Sequence, residues 1–504
     1  MLHSDKRRSL KLTALFLTAL TLLPMLFACG ADPSAPAADV TAAPGAETTA
    51  APEETEIPFE DLPLGEKLKR TLEALPAVDY KGYEFTFLSR EVTNGLWSTM
   101  DVYTESMNGE PINDAVYARN GYLEDQFNIR IVEVRDTAPA TKAKSTVLAG
   151  EDAYDVFTGG LNTLCPLVTE KQLVDFFSVP GIDLDNVWWD QHLAAGLSVG
   201  GRLYFATGDI SIMDNLGTWA ITFNKDIIRS HNLDDPYQLV GDNKWVLPKM
   251  TEMAKAVSAD LDGDGVMGDA DLYGSCTESF NVYAYWVGAG QRICSKDEKD
   301  MPKLTLFNDR SVSIMDLIMD FQCDRSTVTF TAGRKDGRYM YEVFRDGLAL
   351  FTYGGMMTYS HYRDSDVDYG ILPSPKFDEA QDEYYNTYSH SNFAALAIPI
   401  TASDLARTGT ILESWAALSR YTLSPAYYDI TLSNKYLRDE ESLDMIDLVL
   451  NTRSYDLGHI FNWGSAFNLI ADMFNAKSND FASKYAANES KIQTEIDKFI
   501  ENFS

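Results

Sequence analysis

The sequence reads YEFTFL at residues 83–88, FNIRIVEV at 127–134 and DVFTGG at 155–160. Each segment is a short run rich in β-branched and aromatic residues, which is typical of buried strands. The residues between them, 111–126 and 142–148, read as helices. Strands that alternate with helices predict an α/β fold built on an open sheet.

Open α/β sheets bind ligands at the carboxyl ends of their strands. Trp97 follows the first of these strands, and Thr158-Gly159-Gly160 ends the third. We therefore expect Trp97 and Gly159 to lie at the ligand-binding edge of the sheet.

Strands and helices continue to alternate along the rest of the chain. The sequence contains no internal repeat. Further strands are predicted at 203–206, 218–223, 304–307, 348–353, 368–372 and 394–398, and helices at 246–256 and 311–322. The segment 403–504 is predicted to be mostly helical.

Six segments resemble, in order, motifs of the extracellular solute-binding proteins of ABC importers. They are DVF at 155–157, VGGRLYF at 199–205, ITFNKD at 221–226, NKW at 243–245 with MTEM at 250–253, FRDGLALF at 344–351, and DYGILP at 368–373. Each motif alone is weak, but their order and spacing make the set specific. The similarity is to the family 1, carbohydrate-type binders, which share the fold of the maltose-binding group.

The resemblance implies a two-lobed, periplasmic-binding-protein-like fold of type II, with lobes joined by crossover strands. The first lobe would comprise 64–208 and 350–388, and the second 209–349 and 389–504. It also implies a monomeric binder rather than an enzyme. Such a protein captures a small solute, here a sugar or oligosaccharide, by hinge closure and delivers it to an ABC permease.

A sugar site needs flat aromatic platforms together with carboxylate, amide and guanidinium partners. The candidate ligand-binding residues are Trp97, Gly159, Asp209, Trp219, Trp286, Tyr353, His390 and Trp463. For each single Trp, packing in the core is an equal alternative. Asp209 has the alternative of a turn-forming carboxylate, and His390, at the proposed second crossing, that of a hinge hydrogen bond. Trp188 and Trp189 are assigned to packing.

The segment DLDGDGVMGDAD at 260–271 fits an oxygen-cage calcium loop. The ligands would be Asp260, Asp262, Asp264, the Val266 carbonyl and Asp271, with a glycine at the sharp turn. The sequence therefore predicts a structural calcium ion, and the alternative is an acidic turn without a metal. A single copy of the loop argues against a dockerin module, which carries two.

The N-terminus has four basic residues followed by the apolar run 12–28, which indicates a signal peptide at 1–28. The run is shorter than the roughly 20 residues of a spanning helix. The sequence LFAC at 26–29 resembles a bacterial lipobox, so Cys29 is predicted to carry a palmitate-type lipid anchor on the extracellular side of the cytoplasmic membrane. The alternative is an ordinary signal peptide. Residues 29–63 are predicted to form a disordered stalk, since they are rich in Ala, Pro, Thr and Glu.

The net charge of −33 opposes binding to nucleic acid or to an anionic membrane surface. Cys165, Cys276, Cys294 and Cys323 form neither a zinc motif nor a disulfide framework. A Cys276–Cys294 pair and free thiols both remain open.

An extracellular carbohydrate-active hydrolase and a surface adhesin are the rival function classes. The chain has no GxSxG elbow, no HExxH motif and no phosphate-binding glycine-rich loop. A pair of carboxylates in the cleft would favour the hydrolase.

Overall fold

The computed structural model describes residues 57–91, 97–428, 437 and 439–503. The chain divides into two units, Met1–Ile57 and Pro58–Ser504, and the architecture below belongs to the second. The predicted signal peptide and Cys29 lie outside the described residues.

The described residues contain eleven strands. They are β1 Tyr83–Arg90, β2 Ile129–Asp136, β3 Val156–Gly160, β4 Trp219–Asn224, β5 Tyr273–Thr277, β6 Cys294–Lys296, β7 Pro302–Leu304, β8 Val328–Phe330, β9 Ala349–Gly355, β10 Tyr369–Leu372 and β11 Ala394–Ala397.

The helices of the first half of the chain are α1 Leu64–Ala74, α2 Pro111–Phe127, α3 Pro139–Ala149, α4 Leu161–Thr169, α5 Gln191–Leu197, α6 Met213–Gly217, α7 Lys225–Ser230, α8 Pro236–Gly241 and α9 Leu247–Val257. Those of the second half are α10 Asn281–Gly288, α11 Asp309–Gln322, α12 Met340–Arg345, α13 Leu405–Ser419, α14 Leu423–Pro425, α15 Glu440–Asn451, α16 Leu457–Phe461, α17 Ala466–Ala476 and α18 Phe481–Phe503.

The first sheet has the strand order β11-β3-β1-β2. Strand β1 runs parallel to β2 and β3, and β11 is antiparallel to β3. The aromatic side chains of Phe85 and Phe87 point into the core, where their ring centroids lie 6.3 and 5.8 Å from that of Trp415 in α13. The strand signal at 83–88 therefore arises from one buried face of this sheet.

The second sheet has the order β10-β4-β9-β5-β8. Strand β9 is parallel to β5 and antiparallel to β4, which in turn is antiparallel to β10. All seven residues of β9 are buried, which explains its continuous apolar sequence.

Two antiparallel segments run side by side between the sheets. Ala206 bridges Leu396, and Thr218 bridges Tyr388. The chain thus has two α/β lobes joined by crossover strands, as predicted.

The predicted division of the C-terminal half between the lobes is wrong. Strands β9 and β10, predicted in the first lobe with 350–388, both pair with β4 in the second sheet. Strand β11 was predicted in the second lobe with 389–504, but it pairs with β3. Helix α13 was predicted in the same lobe, but it packs on β1. An apolar strand such as β9 fits either sheet, so its partner depends on the tertiary fold.

The folded unit begins before the predicted end of the stalk at residue 63. Phe59 packs edge-on against Tyr421, with ring centroids 5.9 Å apart, and Leu62 is buried. Within the described residues, no helix combines the length and apolar character required to cross a membrane.

The four cysteines within the described residues are free thiols. Cys165, Cys276 and Cys294 are buried, and Cys323 is partly exposed. Cys276 lies in β5 and Cys294 in β6, in separate sheets.

Candidate functional site

A cavity of about 360 Å³ lies where the crossover meets the ends of β4 and β9. Its apolar wall consists of Trp97, Trp219, Phe280, Tyr339, Met340, Tyr341, Gly354, Gly355 and Phe467. Its polar wall consists of Thr358, Ser389, His390, Ser391 and Asn392. Residues from the loop after β1, from the second sheet and from the crossover therefore meet at one site, as in an interlobe cleft.

The end of β9 brings two tryptophans together. Trp219 opens β4 and pairs with Gly355, the last residue of β9. A Cβ atom built on Gly355 would lie 3.2 Å from the Trp97 ring and 3.2 Å from the Leu216 carbonyl oxygen. Gly355 therefore leaves the space that lets Trp97 approach the strand end.

A second aromatic layer supports the cavity wall. The Trp219 ring centroid lies 5.1 Å from that of Phe280 and 6.2 Å from that of Tyr353. Tyr339 and Tyr341 form another pair, with centroids 5.2 Å apart. Such packed rings present broad apolar faces in fixed orientations.

The polar wall is held by the first lobe. The Arg90 Nη1 at the end of β1 donates to the Ser391 carbonyl oxygen at 2.8 Å and to Asn392 Oδ1 at 3.3 Å. Gly160, at the end of β3, approaches so closely that a Cβ there would lie 2.5 Å from the Ser391 carbonyl oxygen. Gly160, the second glycine of the DVFTGG segment, thus has a packing role beside the site.

Two histidines meet at the floor of the site. His390 Nδ1 lies 2.9 Å from His459 Nε2, and His459 is buried. Burial lowers the pKa of His390 to about 4. Burial, and then the neighbouring His390, lower the pKa of His459 well below its usual value. Both rings are therefore neutral at pH 7, and one donates its N–H to the other.

The structure brings three predicted ligand residues together, since Trp97, Trp219 and His390 all line this cavity. Tyr353 lies behind Trp219 and is buried. Its hydroxyl is hydrogen-bonded to the Ser374 hydroxyl. Tyr353 thus supports the wall without lining it.

The predicted platforms Trp286 and Trp463 lie elsewhere. Trp286 is completely buried and packs edge-on against Phe481, with ring centroids 5.5 Å apart. Trp463 stacks on Phe461 at 4.9 Å, with the rings nearly parallel, and packs on Phe499 of α18. Trp286 is a packing residue, whereas Trp463 packs on these rings and also lines a separate cavity of about 280 Å³.

Asp209 and Gly159 also lie outside the cavity. Asp209 accepts hydrogen bonds from Arg420 Nη1 at 2.8 Å and from the Ser424 hydroxyl at 2.6 Å. Gly159 is buried in β3, where a Cβ would come within 2.9 Å of the Leu164 side chain. Gly159 is close to a strand end in the sequence, and Asp209 is close to a crossover. Neither residue lies at the cavity.

Several lining residues were not among the sequence candidates. They are Phe280, Tyr339, Met340, Tyr341, Gly354, Gly355, Thr358, Ser389, Ser391, Asn392 and Phe467. The aromatic pair in YMY at 339–341 and the polar run SHSN at 389–392 were the available signals. Nothing in the sequence pairs His459 with His390, which lies 69 positions away.

The acidic loop at 260–271 is a separate site. Single carboxylate oxygens of Asp260, Asp262 and Asp264 lie within 4.8 Å of one another, and all three residues are exposed. Asp260 accepts the backbone N–H groups of Gly263 and Gly265, each at 2.7 Å. These three carboxylates and the Val266 carbonyl are the groups that could ligate a hard cation.

Asp271, the predicted twelfth ligand, is used differently. It is buried, and its carboxylate accepts the backbone N–H groups of Leu261 at 2.8 Å and Gly268 at 2.5 Å. It ties the two ends of the loop together and is not part of the three-carboxylate group.

No protein-family model and no curated protein matches this sequence. Solved structures share its fold. An ABC substrate-binding protein from Listeria monocytogenes in complex with cycloalternan is 12% identical over 82% of this chain and 99% of that chain, with a TM-score of 0.53. The maltose/maltodextrin-binding domain from Bdellovibrio bacteriovorus bound to maltotriose is 12% identical, covers 82% and 99%, and has a TM-score of 0.51.

A third structure carries another kind of ligand. UgpB from Mycobacterium tuberculosis in complex with glycerophosphocholine is 14% identical over 83% of this chain and 99% of that chain, with a TM-score of 0.54. The fold of these three structures therefore covers 82–83% of this chain.

Proposed function

We propose that this protein is the sugar- or oligosaccharide-binding component of an ABC importer. The cavity between the crossover and the two strand ends carries this proposal, because aromatic faces and neutral hydrogen-bonding groups converge there. The carboxylate and guanidinium partners predicted for a sugar site are absent from its described lining, where hydroxyl, amide and imidazole groups are the polar side chains. Hinge motion at the paired crossover segments would close the lobes on the solute, and the closed form would dock on a permease.

The ligands named for the similar structures support a saccharide. Cycloalternan and maltotriose are bound by two of them. Glycerophosphocholine, bound by the third, shows that the fold alone does not decide the solute. The aromatic wall of this cavity favours the saccharide, since pyranose rings present apolar faces to stacked aromatic side chains.

The hydrolase alternative receives no support from the cavity. None of the described residues that line it is Asp or Glu, whereas glycosidases act through two carboxyl groups beside the scissile bond. An adhesin would require no enclosed site, so the cavity does not favour the adhesin alternative.

The N-terminus would hold the binder near its permease. We propose that Cys29 carries a lipid and that residues 30–57 act as the tether on the extracellular side of the membrane. The folded unit that follows is proposed to act as a monomer.

We also propose that the loop 260–271 binds a structural calcium ion. The proximity of the Asp260, Asp262 and Asp264 carboxylates supports it. The loop lies outside the cavity, so calcium would act on stability and not on solute contact.

Isothermal titration calorimetry with a panel of neutral disaccharides and oligosaccharides tests the main proposal. We expect micromolar or tighter binding without turnover. Trp97→Ala and Trp219→Ala should each weaken binding at least tenfold, and Trp188→Ala, outside the cavity, should leave it unchanged. Hydrolysed products detected by chromatography, or no binding across the panel, would contradict the proposal.

A further inference from the structure

The cavity wall is uncharged. Among the described residues that line it there is no Asp, Glu, Lys or Arg. This contrasts with the whole chain, of which 23% is Asp, Glu, Lys or Arg. A charged solute that enters the cavity would therefore find no counter-charge on its wall.

Arg90 contacts this wall without lining it and keeps its positive charge, because both of its acceptors are neutral. Arg90 is half-buried and uses Nη1 on the Ser391 carbonyl and the Asn392 side-chain oxygen. Because that amide oxygen is occupied, Asn392 has its NH₂ group left as a neutral donor. The Thr358 hydroxyl donates to the Gly355 carbonyl at 2.7 Å and retains only acceptor capacity. The free polar groups of the wall are thus neutral donors and acceptors.

The histidine pair keeps a third group neutral. His459 Nδ1 is buried without a hydrogen-bond partner among the described residues. A buried acceptor without a partner costs less than a buried N–H without one. We therefore assign the His459 proton to Nε2, which donates to His390 Nδ1. His390 then carries its own proton on Nε2 and offers a neutral N–H.

Burying an ionised group without a partner costs several kcal/mol, more than one aromatic contact provides. A pyranose with uncharged substituents does not bring this cost. The free energy from its apolar contact with the aromatic wall is therefore retained. The aromatic residues of the wall would therefore bind the sugar ring. The lack of charged groups among the described lining residues would determine which substituents on the ring can be accommodated.

We infer that this cavity selects uncharged saccharides and excludes those that carry a free amine, because its described lining has no carboxylate and the Arg90 cation lies beside it. The selection rests on the proposed saccharide-binding function and specifies its substrate class. His390, held by His459, is a specificity-determining residue, since it provides a hydrogen-bond donor without a charge.

A matched sugar pair tests the selection by calorimetry at neutral pH. The probes are N,N′-diacetylchitobiose and its fully deacetylated diamine. We expect the neutral sugar to bind at least tenfold more tightly than the charged diamine. A diamine that binds within tenfold of its neutral counterpart would overturn the selection and leave saccharide binding intact. No binding of either kind would overturn the proposed function, and the selection with it.

A charge placed on the wall provides the reciprocal test. Thr358→Glu should gain binding of the chitobiose diamine at least tenfold over the unaltered protein, and Thr358→Gln, of nearly the same size, should not. Circular dichroism checks that both variants fold. Equal diamine binding by the two folded variants would overturn the inference, because the result would show that wall charge does not govern selection.

Discussion

At the scale of single residues, the environment decides what each aromatic side chain does. Trp219 and Trp286 are both almost completely buried, at 8% and 0% exposure. Trp219 begins a strand and lines the cavity, whereas Trp286 lies within α10 and packs edge-on against Phe481 at the start of α18. The sequence identifies both as large apolar residues. It does not show which side chains surround each of them in the fold, and these decide whether a tryptophan lines the cavity or packs in the core.

The histidine pair predicts a dependence of stability on pH. The folded pKa of His390 is lowered to about 4, below the ordinary value near 6.5, so the unfolded chain binds more protons between these values. The free energy of unfolding is therefore fully present above about pH 6.5 and falls as the pH drops towards 4. Between about pH 8 and about pH 5 we expect a loss of about 2 kcal/mol from His390 alone.

Thermal and urea denaturation across this pH range measure the effect. His390→Asn should flatten the decline, whereas His192→Asn, at an exposed position, should retain it. An identical decline in His390→Asn and the unaltered protein would show that His390 does not cause it.

At the scale of elements, local signals located many strands and helices, but they missed β5, β6, β8 and α10 and predicted a strand at 203–206 that does not form. They also missed which strands pair. The apolar runs at 83–88 and 348–353 became β1 and β9, because such runs suit a buried sheet. The lobe of β9 was predicted wrongly, since pairing with β4 and β5 joins residues far apart in the chain. Asp209 was similarly close to the crossover in sequence but is paired with Arg420.

The acidic loop predicts stabilisation by calcium. Repulsion among the exposed carboxylates of Asp260, Asp262 and Asp264 would be relieved by a bound cation, which binds the folded loop only. At a calcium concentration about 100 times the Kd, the gain in unfolding free energy would be about 2.7 kcal/mol.

Differential scanning calorimetry with calcium or with chelator measures this gain. Asp262→Asn should abolish the calcium-dependent rise in Tm, and Asp226→Asn, an exposed carboxylate of α7, should not. A Tm that is the same with calcium and with chelator would refute the calcium proposal.

At the scale of the whole molecule, the chain passes between the lobes along a compact set of paired segments. Asn386 bridges Arg453 beside the Thr218–Tyr388 bridge, so a third segment joins the two crossovers. Each lobe has its own sheet, so the proposed hinge motion would take place at such junctions. The ligand cavity lies against the same junction, since the polar run 389–392 belongs to it. If the cavity binds the proposed solute, the shared residues 389–392 would couple solute binding to lobe orientation.

Arg453 is the charged centre of this junction. Its Nη2 donates to Asp190 at 2.8 Å, and its Nη1 donates to Asp214 and to Asn215, each at 3.1 Å. The Asp190 and Asp214 side chains are only 4% and 2% exposed. Arg453→Leu would leave two buried carboxylates without their cation, and we expect it to lower the unfolding free energy by about 3–5 kcal/mol.

Arg229 offers the matched control, because it also pairs with two aspartates but is 59% exposed. Arg229→Leu should change the unfolding free energy by less than about 1 kcal/mol. Urea denaturation of both variants measures the difference, and small-angle scattering of folded Arg453→Leu reports lobe orientation. Because Arg453 fixes the crossover segments to one another, the folded variant should show a broader distribution of lobe orientations than the unaltered protein. Equal stability losses in the two variants would mean that the buried network does not hold the junction.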